Sequence, residues 1–301
     1  MRELPYVQTS VFVDDRMSFG GNQLATYWDT KTNASLSQQE MQGMALEMNF
    51  SESTFLESPS TKGCVVKVRI FTPAAEIPFA GHPTLGTAFV IRHRKILDPS
   101  KTHAILQLGI GPIRVEYLDD NNVRMIQPEP SFNEELEDIG KVAEVIGLEE
   151  DQLDKRFPIQ VVSTGFPFLI VPIKSIASVK KANPVPPLFE PNLGHLSTQQ
   201  VMIFSTETIF SDSQVHARMF GPDVGVVEDP ATGSAAGPLG AYLEKYEVLS
   251  NHEFGDSINI EQGYEIERPS KLVVRVPHES MSEVHVSGKV RLIAEGTFFL
   301  P

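Results

Sequence analysis

The spacing of apolar and polar positions changes period along the chain, and each change marks an element. Residues 6–13 are β-branched and aromatic with loose alternation, which predicts a strand ending at Asp14 and Asp15, followed by a turn at Gly20, Gly21 and Asn22. Ser37 then stands three positions before Glu40, the arrangement of a capping box. Beyond it Met41, Met44, Ala45 and Met48 recur on one helical face as far as Asn49. Further apolar runs predict strands over 54–57, 65–71, 105–108, 113–117 and 123–125. Pro83 suits the first position of a helix over 83–91, with His82 just before it.

The second half repeats this alternation. Residues 139–146 and 235–246 read as helices, and 159–163, 168–172 and 201–205 read as strands. The tail over 257–299 is strand-rich, with runs at 272–276, 283–286 and 289–298. Mixed strands with one long helix per half predict an α+β fold in which a sheet wraps a helix. The Pro-rich stretch 183–191 reads as a surface loop.

A phrase that occurs twice explains the resemblance of the halves. Arg69, Phe71 and Pro73 precede Glu76, Pro78, Gly81 and His82; Arg218, Phe220 and Pro222 precede Glu228, Pro230, Gly233 and Ser234. The chain of 301 residues thus reads as a duplicated scaffold, its two loops facing each other across one cleft. The run Gln127, Pro128, Glu129 and Pro130 marks the boundary. The domains predicted are 1–126 and 127–284, with closing strands over 285–301 returning to the first domain.

Composition narrows the possible partners. With 39 acidic against 25 basic residues the net charge is −14, and no basic run interrupts it, so nucleic acid and anionic membranes are poor partners. No apolar stretch is long enough to span a bilayer, and residues 1–13 lack the apolar core of a signal peptide. The one cysteine, Cys64, excludes an internal disulfide and fits a reducing, cytoplasmic setting.

Several residues carry candidate chemistry. Gly81 and Gly233 each stand directly before a predicted helix start, where unpaired N–H groups and the helix dipole can hold an anion, or where they simply form a turn and cap. Two such turns would clamp a small anionic metabolite. His82, held between Gly81 and Pro83, is placed as a hydrogen-bonding or proton-relaying group; no His or Cys spacing suggests a metal site. Glu52 lies in a polar turn bracketed by Phe50, Phe55 and Leu56. Apolar enclosure there would raise its pKa and suit it to proton transfer, whereas the plainer reading is a surface carboxylate before an edge strand. Asp229 stands where the first copy of the phrase has Ile77, a mismatch that suggests specialisation of the second loop.

The segment 49–55 with its Asn49, Ser51 and Glu52, the stretch 69–86 and the stretch 226–240 resemble the PhzF family of phenazine biosynthesis-like proteins. The likeness runs from Val7 to the region 284–297, essentially the whole chain; one departure is Gln23 after Gly21 and Asn22, where many relatives have proline. It implies two similar diaminopimelate epimerase-like domains, each a curved, mostly antiparallel sheet around a central helix, with the site in the cleft between them. It also implies that Glu52 carries a proton between two substrate carbons while His82 and Asp229 hold and polarise the substrate. Ser51, Gly81, Gly233 and Ser234 would line the pocket. By the same resemblance no cofactor or metal is needed, and the protein is a homodimer. Diaminopimelate epimerase itself uses two facing cysteines; Cys64 is alone and outside every motif, so a two-thiol exchange cannot operate here. The expected activity is that of an isomerase resembling trans-2,3-dihydro-3-hydroxyanthranilate isomerase. The rivals are a non-catalytic small-molecule-binding protein, or an epimerase or racemase using Glu52 and Asp229.

Overall fold

The computed structural model describes residues 2–28 and 36–301. The chain divides into two compact units, Met1–Ile126 with Ser287–Pro301, and Gln127–Val286.

The first unit contains β1 (Arg2–Val11), β2 (Asn22–Trp28), α1 (Gln38–Met48), β3 (Glu52–Glu57), β4 (Val66–Phe71), β5 (Glu76–Ile77), α2 (Gly81–His93), β6 (His103–Leu108) and β7 (Gly111–Tyr117). Strand β8 (Asn122–Pro128) carries the chain into the second unit. There follow β9 (Ser131–Glu135), α3 (Ile139–Ile146), β10 (Gln160–Ser163), β11 (Pro167–Pro172), α4 (Ile176–Lys181), α5 (Phe189–Leu193), β12 (Val201–Ser205) and β13 (Val215–Gly221). The unit continues with β14 (Val226–Asp229), α6 (Gly233–Lys245), β15 (Ile258–Gln262) and β16 (Ser270–Arg275), and β17 (Glu283–Leu300) returns to the first unit.

The pairing pattern is the same in both units. In the first, β1 is antiparallel to β2, β2 parallel to β3 and β3 antiparallel to β4. Strand β4 is antiparallel to the short β5 and parallel to β6, which is antiparallel to β7. In the second, β10 to β16 repeat every one of these relations in order. Each parallel pair is joined through helix, as a same-direction return requires: α1 or α4 and α5 for the first, α2 or α6 for the second.

The repeated arginine and glutamate bind each other in both copies. Arg69 donates from Nε and NH2 to Glu76 at 2.7 and 2.6 Å, and Arg218 makes the same fork to Glu228 at 2.8 and 2.7 Å. Each guanidinium also stands over the phenylalanine of its own phrase, Phe71 at 5.2 Å or Phe220 at 5.0 Å. Arg-x-Phe followed by Glu is therefore a clamp that fixes the approach to the next helix. In the second unit the clamp is buried, and Arg218 additionally donates to the carbonyls of Val179 in α4 and of Ala182, the residue that ends it, at 2.9 and 2.6 Å.

The helices after the clamps are deeply buried. α6 hides twelve residues from Gly233 to Glu244, many of them small. A side chain on Gly240 would overlap Val274 Cγ1, so glycine lets the helix lie against β16. α1 carries the expected capping box, with Glu40 N–H donating to Ser37 Oγ at 3.2 Å and Ser37 N–H to Glu40 Oε2 at 2.7 Å. Its buried Met41, Met44 and Ala45 pack with Tyr27, Phe55 and Phe71.

The structure departs from the sequence reading in several places. α2 and α6 begin at Gly81 and Gly233, two residues earlier than predicted, so both glycines lie inside the first turn and His82 is the second helical residue. Pro83 is tolerated there because first-turn N–H groups have no helical partner. The Pro-rich stretch 183–191 is not plain loop: it runs into α5, where Phe189 and Leu193, four positions apart, are both buried. The tail runs 283–286 and 289–298 form one strand, β17, which passes through Gly288, where a side chain would collide with the Phe12 ring. Residues 215–221, unassigned from sequence, form β13, buried throughout.

Candidate active site

In the first unit α1 ends at Asn49, left-handed at φ 53°, and three residues later the chain enters β3. That short connection makes Glu52 the first residue of an interior strand, parallel to β2 and antiparallel to β4. Glu52 is 9% exposed, so the surface-carboxylate reading does not hold. Alternation along the strand puts Glu52 and Thr54 on one face. Thr54 Oγ1 accepts from Thr87 on α2 at 3.0 Å and donates to Thr26 Oγ1 at 2.9 Å, which shows that this face looks onto α2.

His82, at the start of that helix, is 2% exposed, and its Nε2 faces Glu52 Oε2 at 3.4 Å. Burial pushes the imidazole down to about 3, outweighing a hydrogen bond to the Gln23 backbone that acts the other way. The ring is therefore neutral near pH 7. The Gln23 backbone hydrogen-bonds the ring, and Nε2 is the ring nitrogen that faces the Glu52 carboxyl. Ser51 is half-buried just ahead of Glu52, and Gly81 is buried at the first helical position. No side chain caps α2, since its N-cap is Ala80.

In the second unit Asp229 ends β14 and is 4% exposed. Thr232 Oγ1 donates to its Oδ2 at 2.6 Å. Thr232 is the N-cap of α6, yet its hydroxyl serves Asp229 rather than the helix N–H groups. Gly233 and Ser234 are buried in the first turn, and the Gly233 carbonyl accepts from Gln127 Nε2 at 2.9 Å. Cys64 lies in a loop before β4, and burial pushes its thiol up, away from the reactive thiolate.

The duplicated pairing reveals a counterpart of Glu52 that the repeated phrase does not contain. Ser53 pairs with Phe71 and Val201 with Phe220, so Glu52 corresponds to Gln200. Gln200 is an amide engaged with Asp223 and cannot accept a proton as a base. Sequence reading missed Thr232 and Gln262, whose amide donates to Thr232 Oγ1 and to the Asp229 carbonyl, and it marked Gln23 only as a departure from relatives. Thr232 had a signal, since it stands where the first copy of the phrase has Ala80; the other two act across distances that local sequence does not encode.

The chain matches the sequence signature of the phenazine biosynthesis-like protein family, PhzC-PhzF, over residues 10–296. The chain belongs to the phenazine biosynthesis-like family. It is 35% identical to trans-2,3-dihydro-3-hydroxyanthranilate isomerase of Pseudomonas aeruginosa over 98% of this chain and 99% of that protein. Its fold matches a PhzF-family protein of Bacillus anthracis with a TM-score of 0.86, at 26% identity over 99% of this chain and 100% of that one. A probable proline racemase from Agrobacterium radiobacter shares the fold at TM-score 0.67 and 10% identity, covering 99% and 93% of the two chains. Membership in this family makes the chain an isomerase. No helix among the described residues is long and apolar enough to cross a membrane.

Proposed function

We propose that the protein catalyses a cofactor-independent proton shift within a small, cyclic, carboxylate-bearing metabolite, with Glu52 as general base and then general acid. The observation that carries this reading is the buried carboxyl of Glu52 set 3.4 Å from a neutral His82 ring. A base in that setting takes a proton from one carbon while the π electrons move along the ring, then returns it to a second carbon on the same face. His82 and Asp229 hold and polarise the polar groups of the same substrate. The first turns of α2 and α6, neither of which has a side-chain cap, suit the substrate's carboxylate.

An epimerase needs a base on each face of its substrate. Gln200 at the position matching Glu52 argues for one carrier of the proton and against a symmetric pair. On the family resemblance, each unit is a curved sheet around its buried helix. The protein is then a homodimer acting on a small anionic metabolite, with neither nucleic acid nor membrane as partner.

The test is incubation with trans-2,3-dihydro-3-hydroxyanthranilate in deuterated water, followed by proton NMR. Formation of an isomer by the wild type, with loss of activity in Glu52→Gln, supports the reading. Equal turnover by Glu52→Gln overturns it.

A further inference from the structure

The two units share one scaffold, so positions at which they differ together separate what folding requires from what chemistry requires. Three such positions meet at one turn, Asp229 among them. The phrase aligns Ile77 with Asp229 and Ala80 with Thr232. Strand pairing adds a third: Lys67 pairs with Gln107 and His216 with Glu261, so Leu108 corresponds to Gln262. The first unit builds this turn from Ile77, Ala80 and Leu108; the second builds it from Asp229, Thr232 and Gln262.

The polar set is closed and directional. Gln262 is fully buried at the end of β15; its Oε1 accepts from Thr232 N–H at 3.0 Å, while Nε2 donates to the Asp229 carbonyl at 2.8 Å and to Thr232 Oγ1 at 3.0 Å. The backbone partners fix which way the amide points, because a flipped amide would set donor against donor and carbonyl against carbonyl. Thr232 Oγ1 accepts from Gln262, so its single hydrogen goes to Asp229 Oδ2 at 2.6 Å. The next residue, Gly263, has φ +80°, and a side chain there would collide with the carbonyl oxygens of Pro230 and Arg268, so this turn lies hard against the Asp229 loop.

We propose that Thr232 and Gln262 are positioning residues for the reaction, holding the Asp229 carboxylate ionised and in one orientation, and that the triad exists for chemistry rather than for folding. This rests on the role of Asp229 under the proposed function. The first unit makes the equivalent connection into its buried helix without any of the three polar groups. Gln262 directs the hydroxyl, the hydroxyl directs the carboxylate, and Asp229 meets the substrate.

The experiment uses the full-length protein and two independent readouts. Carbon-13 NMR of labelled aspartate follows the Asp229 carboxyl through a pH titration, and turnover of trans-2,3-dihydro-3-hydroxyanthranilate gives kcat and KM. Thr232→Val removes the hydroxyl at constant shape and is expected to raise the Asp229 midpoint by about one pH unit, with kcat lowered by about tenfold to a hundredfold. Gln262→Glu, which cannot donate to Thr232, is expected to act in the same direction, whereas Thr232→Ser restores both quantities. The triple variant Asp229→Ile, Thr232→Ala, Gln262→Leu, which copies the first unit, is expected to fold with a melting temperature near that of the wild type. An unchanged midpoint in Thr232→Val, or a triple variant that does not fold, overturns the proposal. If the wild type turns over none of the probe, the functional reading fails while the midpoint still decides the brace.

Discussion

Glu52 Oε2 lies 3.4 Å from His82 Nε2, a carboxyl at the start of a strand against an imidazole at the start of a helix. Thirty residues of sequence separate the two. They meet because Glu52 shares its strand face with Thr54, which is tied to α2 through Thr87. Glu52→Gln keeps the shape and removes the proton carrier. It is expected to lower kcat on trans-2,3-dihydro-3-hydroxyanthranilate by about a hundredfold to ten-thousandfold while substrate affinity changes little. Steady-state kinetics alongside calorimetric binding checks this; a proportional loss of affinity would assign Glu52 to binding instead.

The depressed His82 ring makes a pH prediction of definite sign. In the unfolded chain the ring titrates near its ordinary 6.5, whereas in the folded protein burial holds it near 3. Between those values the unfolded state binds the extra proton, so stability is lost as pH falls, by up to about 1.4 kcal/mol for each pH unit. Urea unfolding of wild type and His82→Asn from pH 7 to pH 4 should show the steeper loss in the wild type.

His216 predicts the opposite limb. Burial alone would push this ring down, but hydrogen bonds to Glu261 at 3.1 Å and Glu265 at 2.8 Å outweigh it and hold the ring above its ordinary value. Its contribution is fully present below the unfolded value of 6.5 and is lost as pH rises through the raised folded value. Replacing it in His216→Gln should lower stability at pH 6 and flatten the decline on the alkaline side, as read by urea unfolding.

The two clamps give a paired prediction. Arg218 and Glu228 are nearly inaccessible, with side-chain exposures of 6% and 8%, while Arg69 and Glu76 stand at 17% and 31%. Arg218→Ala leaves a buried carboxylate and two helix-end carbonyls without their donor, and is expected to cost about 3–5 kcal/mol. Arg69→Ala, in a better solvated copy of the same fork, should cost roughly 1 kcal/mol or less. Equal losses in chemical denaturation would contradict burial as the deciding factor.

Gly263→Ala tests the close approach behind Asp229. A left-handed φ of +80° and two carbonyl oxygens against the new Cβ should destabilise the protein by about 1–3 kcal/mol. The change would appear as a lower melting temperature.

Short-range physics was open to sequence reading. The capping box of Ser37 and Glu40, the methionine face of α1 and the repeated Arg, Phe and Glu of the two clamps all join residues within about ten positions of each other, and local spacing encodes such contacts. The duplication, and with it the family, could be read from the same phrases. What tertiary structure alone decided were the relations that strand pairing makes across long separations. The phrase could not say that Glu52 is buried on an interior strand, that Gln200 is its counterpart, or that Gln262 reaches back to Thr232 and Asp229. Even the starts of α2 and α6 were displaced, because neither helix draws its cap from a side chain that a local pattern would reveal. Those positions follow from which strands lie side by side, and that choice is made by the burial of whole faces rather than by any short run of residues.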